Sequence, residues 1–262
     1  MNIQIYQVDA FTDKLFGGNP AAVCPLEKWL DEELLQKIAA ENNLSETAFF
    51  VKKGKNFELR WFTPKVEVDL CGHATLASAH VIFNNLDYDE KQITFASASG
   101  ELRVTTEDGL ITLDFPSTPP SPVEIVPELA QGLGLEPKEV HKSRDYLALF
   151  ETEDDILSIE PDFNILGKMD TLGFIVTAQG KDSDFVSRFF APAVGINEDP
   201  VTGSAHTTLI PFWAERLNKK TLHAFQLSER KGELFCELTG DRVKIGGSAV
   251  TFLKGEIVLN GT

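Results

Sequence analysis

Apolar residues alternate with polar ones, or gather into short unbroken runs, along most of the chain. Residues 3–8, 92–96, 102–105, 111–115, 234–238, 243–245 and 250–259 read in this way as strands, as do 48–51 and 173–177. Helical spacing is rarer. Leu34, Leu35, Ile38 and Ala39 recur at the period of an amphipathic helix over residues 30–42. Two further helical stretches, 76–84 and 207–218, follow glycine-led segments. The first, with Ala74, Leu76, Ala77, Ala79, Val81 and Ile82, is apolar enough to be buried on all sides. Five prolines (Pro116, Pro119, Pro120, Pro122, Pro127) crowd the midpoint, where lost N–H donors and fixed φ predict an extended connection. They divide the chain into an N-terminal lobe, 1–116, and a C-terminal lobe, 117–262, whose last strand can return to the first lobe.

The two halves repeat one order of elements. Arg60-Trp61-Phe62-Thr63-Pro64 matches Arg188-Phe189-Phe190-Ala191-Pro192, and each match follows a strand-like run. Gly72-His73-Ala74-Thr75 and Gly203-Ser204-Ala205-His206 then open the two helices. A duplicated unit accounts for this order better than chance. Many strands with one buried helix per half predict an α+β fold: two pseudo-symmetric lobes, each a barrel-like mixed sheet wrapped around a central helix. A ligand cleft between the lobes is the corresponding expectation.

Composition narrows the function classes. The chain has 262 residues and a net charge of -16, a surface that repels nucleic acid and anionic lipid. The acidic run 151–155 reads as a solvated loop. Three scattered cysteines form no disulfide framework and fit a reducing, cytoplasmic setting. The first residues lack the pattern of a secretory signal, and no apolar run has the length of a spanning helix.

Candidate chemistry gathers at the two helix starts. Small residues in Asp69-Leu70-Cys71-Gly72-His73-Ala74 leave backbone N–H groups pointing out of a helix end, an arrangement that favours a carboxylate, with His73 at its mouth. A solvated or internally satisfied imidazole is the plain alternative. In Glu198-Asp199-Pro200-Val201-Thr202-Gly203-Ser204, Asp199 and Ser204 are candidate ligand contacts or helix caps. Glu46 stands where polar sequence turns apolar. Partial desolvation there would raise a carboxyl group toward the range of a general acid or base. Gly17-Gly18-Asn19-Pro20 and Gly246-Gly247 are tight turns or places of close ligand approach. Neither matches a dinucleotide or P-loop pattern, and Cys71, His73 and His80 lack the usual spacing of a metal site.

Several blocks together resemble the phenazine-biosynthesis PhzF-like family. They are Asp9-Ala10-Phe11, Phe16-Gly17-Gly18-Asn19-Pro20-Ala21-Ala22-Val23, Ser45-Glu46-Thr47-Ala48-Phe49, Cys71-Gly72-His73-Ala74-Thr75, Asp199-Pro200-Val201-Thr202-Gly203-Ser204-Ala205 and Gly246-Gly247. The resemblance implies a diaminopimelate-epimerase-like fold, a homodimer, and cofactor-free isomerisation of a cyclic, dihydro-hydroxyanthranilate-like carboxylate. Glu46 matches the family's acid/base glutamate. His73 and Asp199 match residues that orient the substrate's amino or hydroxyl group. Ser204, with amides at Gly72, Ala74, Gly203, Gly246 and Gly247, matches the region holding the carboxylate. Epimerase relatives use two facing thiols; Cys71 matches the first, but Pro200 occupies the second position. The competing readings are a Cys71-dependent epimerase or hydrolase and a non-catalytic protein that binds small carboxylates.

Overall fold

Two helices are buried on nearly every side, and each lies among strands of its own unit. The computed structural model describes residues 1–259. It divides into two compact units: Met1–Asp114 with the segment from Gly246 on, and Phe115–Ile245. Among the described residues no helix is long and apolar enough to cross a membrane.

Unit 1 contains β1 (Asn2–Ala10), β2 (Asn19–Leu26), α1 (Glu32–Asn42), β3 (Glu46–Lys53), β4 (Asn56–Phe62), β5 (Glu67–Val68), α2 (Gly72–Asn85), β6 (Gln92–Ser97), β7 (Gly100–Glu107) and β8 (Leu110–Pro116). Unit 2 follows with β9 (Ser121–Val123), α3 (Pro127–Leu133), β10 (Glu139–Lys142), β11 (Tyr146–Leu149), α4 (Glu153–Ser158), α5 (Phe163–Leu166), β12 (Phe174–Ala178) and β13 (Phe185–Phe190). After these come α6 (Gly203–Leu217), β14 (Thr221–Gln226), β15 (Gly232–Thr239) and β16 (Arg242–Gly247). β17 (Ala249–Val258) returns to unit 1, antiparallel to β1.

Strand pairing shows the duplication more clearly than sequence does. In unit 1, β1–β2 is antiparallel, β2–β3 parallel, β3–β4 antiparallel, β4–β6 parallel across α2, and β6–β7 antiparallel. In unit 2, β10–β11, β11–β12, β12–β13, β13–β14 (across α6) and β14–β15 follow the same succession. α2 packs on β1, β2, β3, β7 and β17, and α6 on β14 and β15. Trp213 of α6 stacks on Phe185 at 5.8 Å and donates Nε1–H to Thr177 Oγ1 at 2.9 Å. A buried aromatic so placed gives its apolar area without stranding its polar atom.

The repeated Arg-x-Phe-x-Pro segment is structural in both units. Arg60 lies 5.1 Å from the Phe62 ring and pairs with Glu67; Arg188 lies 4.9 Å from Phe190 and pairs with Glu198. Each guanidinium thus covers an aromatic face while its charge is matched.

Three local expectations change. Both central helices begin earlier than their apolar spacing suggests, at Gly72 and Gly203. The proline-rich stretch is not wholly irregular: Pro122 lies in the short β9, and Pro127 opens α3, where its missing N–H costs nothing. Thr118 from this stretch donates its N–H to Thr207 O at 3.0 Å, replacing the helical bond that Pro211 in α6 cannot make. The acidic run is a helix start rather than a loop. Thr152 and Asp155 form a reciprocal capping box, so acidic side chains sit at the positive end of α4.

Candidate active site

Three elements of unit 1 begin at the same place. Parallel pairing sets Ala21 of β2 opposite Glu46, the first residue of β3, and α2 packs on both strands. Asn19 starts β2 and Gly72 starts α2. The turn before β2 is built for this: Gly18 has φ +57°, and a Cβ there would lie 2.0 Å from Ala10 O. Asp9 Oδ2 accepts the Phe16 N–H at 2.9 Å and closes the loop.

His73 stands at the centre. Its Nε2 lies 3.2 Å from Glu46 Oε2, and its Nδ1 lies 3.1 Å from Asn19 Nδ2 and 3.5 Å from Cys71 Sγ. His73 is 4 % exposed, Cys71 8 % and Glu46 9 %. The Glu46 contact is close but misaligned: neither Glu46 Oε2 nor His73 Nε2 has a hydrogen-bond partner. Burial is the largest influence on His73 and would lower its affinity for a proton. Cys71 and Glu46 outweigh it and hold the imidazole well above its ordinary value. The Cys71 thiol is pushed up to about 11, chiefly by burial and then by the Glu46 charge, so at neutral pH it is protonated. The Ala74 amide, one candidate carboxylate donor, faces the Cys71 sulfur.

The start of α6 in unit 2 is a closed network. Thr202 Oγ1 donates to Asp199 Oδ2 at 2.5 Å, and its N–H donates to Gln226 Oε1 at 2.8 Å. Gln226 Nε2 donates to Asp199 O at 2.8 Å and to Thr202 Oγ1 at 3.1 Å. His206 Nδ1 lies 2.8 Å from Thr202 O, and burial pushes this imidazole down to about 4. Ser204 Oγ accepts from Arg144 at 3.1 Å. Gly247 has a packing reason to be glycine, because a Cβ would lie 2.4 Å from Phe11 Cδ1. A separate cavity of about 760 Å³ in unit 2, lined by residues including Pro119, Pro211 and Phe212, holds none of these groups.

Glu46 and His73 are thus brought together as contacts within unit 1, while Asp199, Gly203 and Ser204 share the start of α6 in unit 2. Two residues escaped sequence reasoning. Asn19 was visible only as part of a turn motif, and Gln226 lies in a strand with no motif around it. As to metals, Glu46, Cys71 and His73 are the one group among the described residues with three donor atoms within 4.8 Å of each other.

Comparison with known proteins agrees with this architecture. The phenazine biosynthesis-like PhzC-PhzF family profile matches residues 8–255. An uncharacterized isomerase from Pseudomonas aeruginosa is 54% identical over 261 residues, spanning 99% of this chain and 100% of that protein. A PhzF-family crystal structure from Enterococcus faecalis superposes with TM-score 0.97 at 51% identity, covering 99% of this chain and 100% of that one. A probable proline racemase from Agrobacterium radiobacter, 10% identical over 98% of this chain and 93% of its own, shares the fold with TM-score 0.66. The chain belongs to the phenazine biosynthesis-like PhzC-PhzF family.

Proposed function

We propose that this isomerase relocates a proton on a small carboxylate-bearing substrate, with Glu46 as the acid/base. The observation that carries the reading is the pair Glu46 Oε2 and His73 Nε2, buried 3.2 Å apart with no hydrogen-bond partner. Buried polar atoms are normally satisfied. Two left unspent beside each other are suited to a proton arriving from a substrate. Glu46 would take a proton from one carbon, the C–H electron pair would pass into the substrate's conjugated system, and the proton would return at another carbon. Nothing is oxidised or reduced. His73, charged or neutral, would hold the carboxylate in place and donate to the substrate's amino or hydroxyl group.

We assign Asp199 to orienting the substrate, and Ser204 with the amides at Gly72, Gly203, Gly246 and Gly247 to its carboxylate. A cyclic, dihydro-hydroxyanthranilate-like acid is the first substrate to test, and a homodimer the working form, checked by sedimentation. The experiment is deuterium incorporation into that acid in D2O. Wild type should label it and Glu46→Gln should not, with unchanged circular dichroism; full labelling by Glu46→Gln overturns the proposal.

The 3.5 Å contact between Cys71 Sγ and His73 Nδ1 favours one second reading, thiol catalysis. The upward shift of the thiol to about 11 works against a resting thiolate. Cys71→Ser separates the two: activity retained removes the thiol reading.

A further inference from the structure

The turn between the first two paired strands reaches the start of the central helix in both units. In unit 1 this is Asn19, where the β1–β2 turn enters β2; its Nδ2 lies 3.1 Å from Nδ1 of His73, the second residue of α2. In unit 2 the β10–β11 turn, 143–145, brings Arg144 Nη2 to Oγ of Ser204, the second residue of α6, also at 3.1 Å. Ser143 Oγ lies 3.1 Å from Thr208 Oγ1, one helical turn further along, so the turn is fastened to α6 at two levels. We propose that Arg144 binds the substrate's carboxylate together with Ser204, as a clamp that selects acids over their neutral analogues. The assignment rests on the reading of Ser204 in the proposed function.

Donor counting shows what the clamp can offer. Arginine has five N–H donors and no acceptor. Arg144 Nε and Nη2 both donate to Asp145 Oδ2, at 3.2 and 3.0 Å, along one edge of the guanidinium. The second Nη2 hydrogen goes to Ser204 Oγ at the end of the fork. Nη1, the other nitrogen of that end, has no hydrogen-bond partner among the described residues. Because arginine can only donate, Ser204 Oγ must accept, and its own hydrogen is left to be given elsewhere. Neighbouring serine and guanidinium hydrogens match the two oxygens of a carboxylate.

The surroundings favour the same ligand. Thr202, the N-cap of α6, gives its hydroxyl hydrogen to Asp199, so no side chain caps the first turn and the helix end attracts an anion. Asp145 is 2 % exposed, and its Oδ1 has no partner. Burying a carboxylate only half satisfied is costly, and the return here is a guanidinium held in one orientation. The Arg144 side chain itself is half exposed and open to a ligand. On a chain of net charge -16, a fixed cation also offsets the repulsion that an anionic substrate meets. No proton moves in this binding, and the guanidinium stays charged throughout.

The test titrates anthranilate, and its neutral amide for comparison, into the full chain by calorimetry. Wild type should bind the acid at least about tenfold tighter than the amide. Arg144→Ala should lose about 10–100-fold for the acid, the worth of a charged hydrogen bond, and little for the amide. In turnover of the cyclic dihydro acid, KM should rise by a similar factor while kcat changes little. Arg144→Ala strands the buried Asp145 carboxylate, so Arg144→Ala with Asp145→Asn is measured beside it and should show the same loss. Arg144→Lys keeps the charge that Asp145 needs but not the fork, and should still lose about tenfold for the acid. Arg103→Ala, which removes a surface pair with Glu101, should match wild type. Equal affinity of wild type for acid and amide overturns the proposal, as does wild-type acid binding in either the double or the lysine variant. The two readings fail separately. Acid binding that depends on Arg144, without deuterium labelling, keeps the clamp and removes proton transfer. Labelling lost in Glu46→Gln but untouched by loss of Arg144 keeps the function and removes the clamp.

Discussion

The two central helices start alike in sequence and differ in how they use their polar atoms. At α2, His73 Nε2 and Glu46 Oε2 are buried side by side without hydrogen-bond partners. At α6, Asp199, Thr202 and Gln226 bond to one another in a closed cycle. The two histidines make the same point. His73 is raised by Cys71 and Glu46 against its burial; His206 is driven down to about 4 by burial, with Thr202 O accepting its Nδ1–H. Duplication supplied one framework twice. One copy leaves two facing polar atoms without hydrogen-bond partners, and the other joins its polar groups into a cycle.

The largest expected effect contrasts the two copies directly. Glu46→Gln should lower proton exchange by about 10²–10⁴-fold, the usual worth of general acid–base catalysis, while leaving the melting temperature nearly unchanged. Equal losses of stability and exchange would erase the distinction. The reverse pattern belongs to unit 2. Gln226→Ala strands the Thr202 N–H and the Asp199 carbonyl in a buried place and should cost about 3 kcal/mol in chemical denaturation.

Acid should act on the second copy as well. His206 binds its proton at about 4 in the folded chain, against about 6.5 when unfolded. Below pH 6.5 the unfolded state takes up the proton first, so stability falls as pH drops toward 4 and then levels. By linkage the loss from this residue is about 2 kcal/mol at pH 5. His206→Gln should flatten that part of the stability profile, as read by denaturation at several pH values. The smallest effect expected is that of Asn19→Ala, which frees the His73 ring to turn. Exchange should fall by about tenfold, as for loss of an outer-shell partner, with little change in stability, and an unchanged rate would deny Asn19 any part in placing the imidazole.

Much of the fold was legible because its two central helices must be apolar on all sides, and such runs are hard to mistake. The strands β6–β8 and β15–β17 showed their alternation for a similar reason. β2 was not seen, because Gly17-Gly18-Asn19-Pro20 reads as a turn and conceals the strand that Asn19 begins. The short α3, α4 and α5 carry too few residues for a periodic signal; caps and buried Leu129, Leu133, Ile156 and Leu166 hold them. At the site, Glu46 and His73 could be named from the family's blocks. Their 3.2 Å approach depends on the parallel register of β2 and β3, which no local pattern encodes. Gln226 was invisible for the same reason, since its partners lie more than twenty positions away.

The return of β17 to β1 has a bearing on how the molecule is made. β1 pairs along its length with a strand from the far end of the sequence, and the Met1 amino group donates to Leu259 O at 3.0 Å. During synthesis β1 must therefore wait, one edge uncovered, until β17 has emerged. Unit 2, whose residues are contiguous, has no such delay. Contacts this distant in sequence form slowly and leave strand edges open to wrong partners meanwhile. The unit that holds Glu46 and His73 is thereby completed only when its second segment arrives.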